Sequence, residues 1–159
     1  MFFFFQRLES VPVSEREAQQ EFHPIAEVVE VSLDYEVAME AALGPRLQML
    51  LSSDSEKAVG AVNYLKEQKS GRSSFVAGGM QVEMQTARPL PESKVRAVLA
   101  NVIAAPEKYQ STIQRLLHNV AIVENLQNAL ELRQEFPEWT FVTIDGDLIT
   151  HDGVISGGT

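Results

Sequence analysis

The chain has 159 residues, a formal net charge of −9, no cysteine, and 45% hydrophobic against 22% charged residues. That length suffices for one domain with a core of its own, and the balance is that of a folded chain rather than a disordered one. The lack of cysteine excludes disulfides and thiolate-bound zinc, and the acidic surplus opposes broad electrostatic attachment to nucleic acid or anionic lipid, leaving room only for a local basic patch.

The opening run MFFFF has no basic residue ahead of it and is too short for a signal peptide or for the ~20 residues of a membrane span. Residues 6–21 are polar, interrupted by Pro12 and without heptad spacing. Residues 1–21 therefore read as a poorly ordered lead-in or a remnant of something longer, unless residues 2–5 pack on the body or on a partner. The folded domain is expected over residues 22–159. IAEVVEV (25–31) predicts a short strand, and Asp34 is a candidate N-cap for a helix over YEVAMEAAL that ends at Gly44. LQMLL (47–51) predicts a buried strand. Asp54 opens a helix through Lys69, with Ala58, Val62 and Leu65 on one face and Gly71 closing it, and RSSFV (72–76) is again strand-like.

Residues 77–92, with Gly78, Gly79, Pro89 and Pro91, break the pattern and set the expected boundary between two lobes, about 22–80 and 90–159. Beyond it, Val95, Val98, Leu99, Val102 and Ile103 predict a helix over 93–104 that stops at Pro106. A weaker helix over 107–117, a buried strand VAIV (120–123), a helix over 124–134 and a strand over 139–144 follow. Strand–helix–strand thus occurs twice, at 47–76 and 119–144, each expected to yield two parallel strands joined by a crossover. The predicted fold is a mixed, two-lobed α/β domain.

From residue 145 the period changes. Asp145-Gly146 and Asp152-Gly153 are turn dipeptides on either side of DLIT, which predicts a closing β-meander. The turns account for Gly146 and Gly153. Gly157-Gly158 needs a different reason, because glycine weakens a strand unless a turn or an approaching backbone requires it.

The spacing Gly146, six residues, Gly153, three residues, Gly157-Gly158 resembles the glycine pattern that closes the hinge domain of SMC (structural maintenance of chromosomes) proteins. YEVAMEAALGPRLQML (35–50), AVNYLKEQKSGRSSF (61–75) and LLHNVAIVENLQNALEL (116–132) resemble earlier blocks of that domain in the same order. The resemblance covers about residues 22–159. It implies a two-lobed hinge without catalytic activity, pairing with a second hinge as a homodimer or heterodimer. The implied joint uses edge strands, with Gly146, Gly153, Gly157 and Gly158 at the interface. It also implies chromosome condensation and segregation as the setting, a cytoplasmic chromosome-associated location, no cofactor and no membrane. Complete family members carry long coiled coils and ATPase heads. This chain has no Gly-x4-Gly-Lys-Ser/Thr loop and no sustained heptad, so by itself it is not expected to bind or hydrolyse ATP, whether it is an excised hinge, a gene fragment or a stand-alone relative.

Two rival functions deserve the same weighing. Some hinges of that family contact DNA; here Lys66, Lys69 and Arg72 gather at a helix end, and Arg88, Lys94 and Arg96 lie near the central break. Charge complementing a helix dipole and a solvated helix start explain both groups as well, and the net −9 makes any contact weak and salt-sensitive. Asp145, Asp147, His151 and Asp152 offer metal-ligand chemistry within eight residues, the basis of a small metal-dependent enzyme. Two of those aspartates precede turn glycines, however, and the spacing matches no ligand motif. His23 and His118 stand alone, and neither a cysteine nor a G-x-S-x-G supplies a nucleophile. Arg46 and Arg72 are expected to pair with acidic neighbours, and Trp139 to complete the core.

Overall fold

The computed structural model describes residues 22–158; the expectations for residues 1–21 lie outside them. In chain order the elements are β1 His23–Pro24, α1 Ile25–Val28, α2 Glu36–Leu43, β2 Leu50–Ser52, α3 Ser55–Gln68, β3 Phe75–Ala77 and β4 Ala97–Val98. They continue with α4 Leu99–Val102, α5 Glu107–Leu117, β5 Val120–Val123, α6 Leu126–Glu135, β6 Thr140–Thr143, β7 Leu148–Ile149 and β8 Ile155–Ser156. The described residues divide into two compact units, 22–28 with 45–82 and 29–44 with 83–158.

The first unit rests on a three-stranded sheet ordered β1-β2-β3. β2 and β3 run parallel, with α3 as the connection, so the first predicted strand–helix–strand unit is present. Asp54 caps α3 as expected: its side chain accepts from the Lys57 N–H at 2.8 Å. Ala61 and Leu65 turn inward onto Leu50 and Phe22, and the Phe22 ring meets Phe75 edge to face at 5.2 Å. The helix ends at Gln68, one residue short of the expected Lys69, and Lys69 itself, left-handed at φ 51°, closes it in place of Gly71.

The strand expected at 25–31 is instead one turn of helix, α1. Ile25 and Val29 are the buried residues of that stretch, an i, i+4 spacing, and the Ile25 N–H donates to Met49 O. Alternation over seven residues does not separate strand from helix when glutamates fall at every third position.

The second unit rests on a five-stranded sheet ordered β4-β5-β6-β7-β8, parallel between β5 and β6 and antiparallel elsewhere. All four residues of β5 and of β6 are buried. The β5–α6–β6 segment is the second predicted unit, with Asn125 capping α6 by accepting from the Asn128 N–H at 2.9 Å. α6 lays Ala129 and Leu132 on Ala121, Phe141 and Ile149, and Phe136 and Trp139 close that core. The meander predicted after residue 144 is β6-β7-β8.

Two further expectations change here. The helix predicted over 93–104 is replaced by β4 and the single turn α4, with the Arg96 N–H donating to Ile122 O. Three of its five apolar positions are valine, a poor helix former, and buried β5 needs a ladder partner on that side. Asp34 is no cap either: it sits within a 3-10 turn, and α2 starts behind Tyr35 with no side-chain cap. The C-terminal glycine, Gly44 at φ 51°, is as expected.

Residues 78–91 form no helix or strand, and a unit boundary falls inside them, between Val82 and Glu83. The units are nevertheless not two contiguous halves. Residues 29–44 belong to the second unit, where Glu30 bridges Ala104 through paired backbone bonds of 2.8 and 2.7 Å and α2 packs on β6. A bridge spanning that much sequence leaves no local trace.

Candidate functional site

The register of the second sheet decides where its surface is unfinished. Val98, Ala121, Phe141, Ile149 and Ile155 are successive cross-strand partners on one face from β4 to β8. Ala121 and Phe141 are 0% exposed and Ile149 4%, but Ile155, the same row at the sheet margin, is 65% exposed. Val154 beside it is 52% exposed, and Leu126 and Leu130 of α6 remain 37% and 40% exposed. Leu126 and Ile155 line one open cleft with Asp145, Asp147, Gly157 and Gly158. Since the Thr150 N–H bonds Val154 O, the two-residue alternation turns the N–H and C=O of Ile155 away from β7. Among the described residues, β8 therefore presents unpaired backbone beside an apolar row cut off at its end, the features of an edge that another strand would extend.

This edge is held in place from within. Arg133 of α6 donates to His151 O at 2.8 Å, and Thr140 Oγ1 of β6 accepts from the His151 N–H at 3.0 Å. The Thr150 hydroxyl donates to the Asp152 carboxylate, which lowers the Asp152 pKa, and accepts from the Val154 N–H at 2.9 Å. The turn into β8 is thus tied to a helix and a buried strand.

The four glycines occupy three different situations. Gly146 (φ 92°) and Gly153 (φ 90°) are turn residues, and a Cβ on Gly146 would stand 3.0 Å from Val37 Cγ1 of α2. Gly157 has the Asp147 side chain where its own would be. Gly158 (φ 111°) faces open space. All but Gly146 are exposed.

Within the second unit Arg88 and Arg96 are drawn into local bonds. Arg88 forks onto Glu138 at 2.8 and 3.0 Å, donates to Glu135 O and lies over the Phe136 ring, while Trp139 Nε1 donates to Arg88 O at 2.8 Å. The Glu138 pKa falls to about 2, chiefly through the hydrogen bond from the Arg88 side chain and then that from the Arg88 N–H. Arg96 pairs with Glu124 at 2.9 Å, which, with a hydrogen bond to Tyr35, raises its own pKa. Lys94 shares a cleft with Glu124, Glu131 and Glu135. Arg88 and Arg96 serve internal bonds, and Lys66, Lys69 and Arg72 stay exposed at the end of α3. Trp139 is 4% exposed and completes the core as expected. Asp147, His151 and Asp152 are each engaged locally, and among the described residues no group of three His, Cys, Asp or Glu is placed to hold a metal ion.

Sequence reading singled out the glycines around this edge and did not single out Ile155, Val154, Leu126 or Leu130. The available clue was the apolar pair Val154-Ile155, which repeats Leu148-Ile149 across the Asp152-Gly153 turn.

A family model for the SMC proteins' flexible hinge domain matches residues 19–133. The chain belongs to the SMC hinge family. Along 127 residues it is 34% identical to the chromosome partition protein Smc of Methanocaldococcus jannaschii, covering 80% of this chain and 11% of that protein. The hinge sequence thus spans about a ninth of that relative's length. Among solved structures it is similar to the Pyrococcus furiosus SMC hinge domain, with TM-score 0.70, 26% identity, and 98% of this chain and 85% of that one covered. It is also similar to an SMC hinge domain from Geobacillus stearothermophilus solved as an asymmetric dimer, with TM-score 0.74, 26% identity, and 92% and 64% covered. No helix of the described hinge is long and apolar enough to cross a membrane.

Proposed function

We propose that this hinge is a dimerisation module, pairing with a second copy through β8, in the service of chromosome partition. The carrying observation is the apolar row that is buried across β5, β6 and β7 and emerges at Ile155 on an edge with outward backbone groups. A strand added there would continue both the ladder and the row, and cover Leu126. The Geobacillus hinge, solved as an asymmetric dimer, supports the pairing of hinges.

Charge favours an unlike pairing of surfaces. Among the described residues, 29–44 and 83–158 carry fourteen Asp and Glu against six Lys and Arg, net −8; 22–28 and 45–82 carry four against five, net +1. Two second units face to face would repel, whereas a first unit of the second copy meets β8 with little opposition. Gly153 and Gly158, exposed and without a side chain, allow close approach at both ends of that edge, while Gly146 serves the β6–β7 turn against α2. The module needs no cofactor and carries out no catalysis of its own.

The test is the solution mass by light scattering over a concentration series. A species of twice the 17.7 kDa chain mass that dissociates on dilution is expected. A monomer at every concentration overturns pairing with its own copy.

A further inference from the structure

Gly157 looks at first like the place where a partner's backbone comes close, but its own chain already fills that space. We propose that Asp147 is a positioning residue that clamps the outgoing end of β8, and that position 157 is glycine because the Asp147 carboxylate lies there. A Cβ built on Gly157 would run into Asp147 Oδ1, with Asp147 Cγ at 2.9 Å and Cβ at 3.3 Å. The same Oδ1 accepts from the Gly158 N–H at 3.2 Å. Asp147 is itself fixed from below: its N–H donates to Thr143 Oγ1 at 2.9 Å, and its carbonyl accepts from the Thr143 N–H at 2.8 Å. Thr143 is 1% exposed at the end of β6. A line of contacts thus runs from a buried central strand through Asp147 to the tail of the edge strand. With the turn before β8 held by Arg133 and Thr140, both ends of that two-residue strand are anchored.

The consequence is a division of labour between two adjacent glycines. Gly157 makes room for an internal clamp, while Gly158 supplies a positive φ and leaves open space on its outer side. The clamp presents β8 in one register, so that a joining strand meets ordered backbone and loses less conformational freedom on binding. Its importance for association rests on the pairing proposed above; its existence in the single chain does not.

A double-mutant cycle separates the two. In the full chain, Gly157→Ala, Asp147→Ala, Asp147→Asn and the double variant Asp147→Ala/Gly157→Ala are compared by melting temperature and by amide exchange of Ile155 and Gly158, below any dimerisation midpoint. Asp147→Asn keeps an acceptor oxygen and is expected to retain protection at Gly158, whereas Asp147→Ala exchanges about tenfold faster there. Gly157→Ala lowers the melting temperature when Asp147 is present and has little further effect when residue 147 is already alanine. Equal effects of Gly157→Ala in both backgrounds, or unchanged Gly158 exchange in Asp147→Ala, overturn the clamp. The dissociation constant of the same four proteins then reports on pairing: a wild-type monomer with an intact cycle refutes pairing alone.

Discussion

Truncating Ile155 to alanine isolates the edge from the rest of the fold. In the single chain this side chain is 65% exposed, so its removal takes little from the monomer, within about 0.5 kcal/mol as for ordinary surface substitutions. Fully burying an isoleucine is worth about 1.5–3 kcal/mol, so covering the exposed two-thirds contributes about 1–2 kcal/mol. A two-fold dimer with two β8 joints counts this twice, about 2–4 kcal/mol, or about 25- to 700-fold in Kd. Sedimentation equilibrium gives the constant, and far-UV circular dichroism with thermal melting checks the monomer. A variant that melts as wild type and dimerises with unchanged Kd would refute the claim that the row ending at Ile155 is completed by a second copy.

Other perturbations test the parts of the fold that hold the edge. Phe141→Ala, at the fully buried centre of the same row, is expected to lose about 3–5 kcal/mol of unfolding free energy in urea titration. Gly146→Ala should destabilise the second unit, since alanine resists φ 92° and its Cβ would press on Val37; unchanged denaturant midpoints would show that the turn relaxes. The Arg88–Glu138 bond carries a pH dependence. The Glu138 pKa is lowered from 4.5 to about 2 in the folded chain, so its contribution is complete above pH 4.5 and is lost as pH falls towards about 2. Glu138→Gln should therefore flatten that part of the acid limb of Tm against pH, and an unchanged limb would deny the linkage. Replacing Gly158 by valine should weaken association and also loosen the Asp147 contact in the monomer, because φ 111° strains a β-branched residue whatever the open space around it; unchanged Kd and unchanged amide exchange at position 158 would deny both.

The sequence by itself determined the elements whose causes are local. Asp54 and the end of α3, the four-residue β5, α6 and the Asp-Gly turns of the meander were legible because capping, helical spacing and turn chemistry act over a few residues. The resemblance carried by the ordered blocks likewise gave the family, since those blocks survive as sequence. What only the tertiary structure decided were relations between distant residues. β4 exists because β5 has an edge to satisfy, although its own residues read as helix. Residues 29–44 join the second unit through a bridge from Glu30 to Ala104 and the packing of α2. Arg88 and Arg96 read as a basic patch until Glu138 and Glu124 arrive from remote segments to neutralise them. Ile155 and Gly157 show the difference most plainly: one is an apolar residue whose row runs off the sheet, the other a glycine whose side-chain space is taken by an aspartate ten positions earlier. Neither property belongs to the residue alone, because register and steric exclusion are set only when the strands come together.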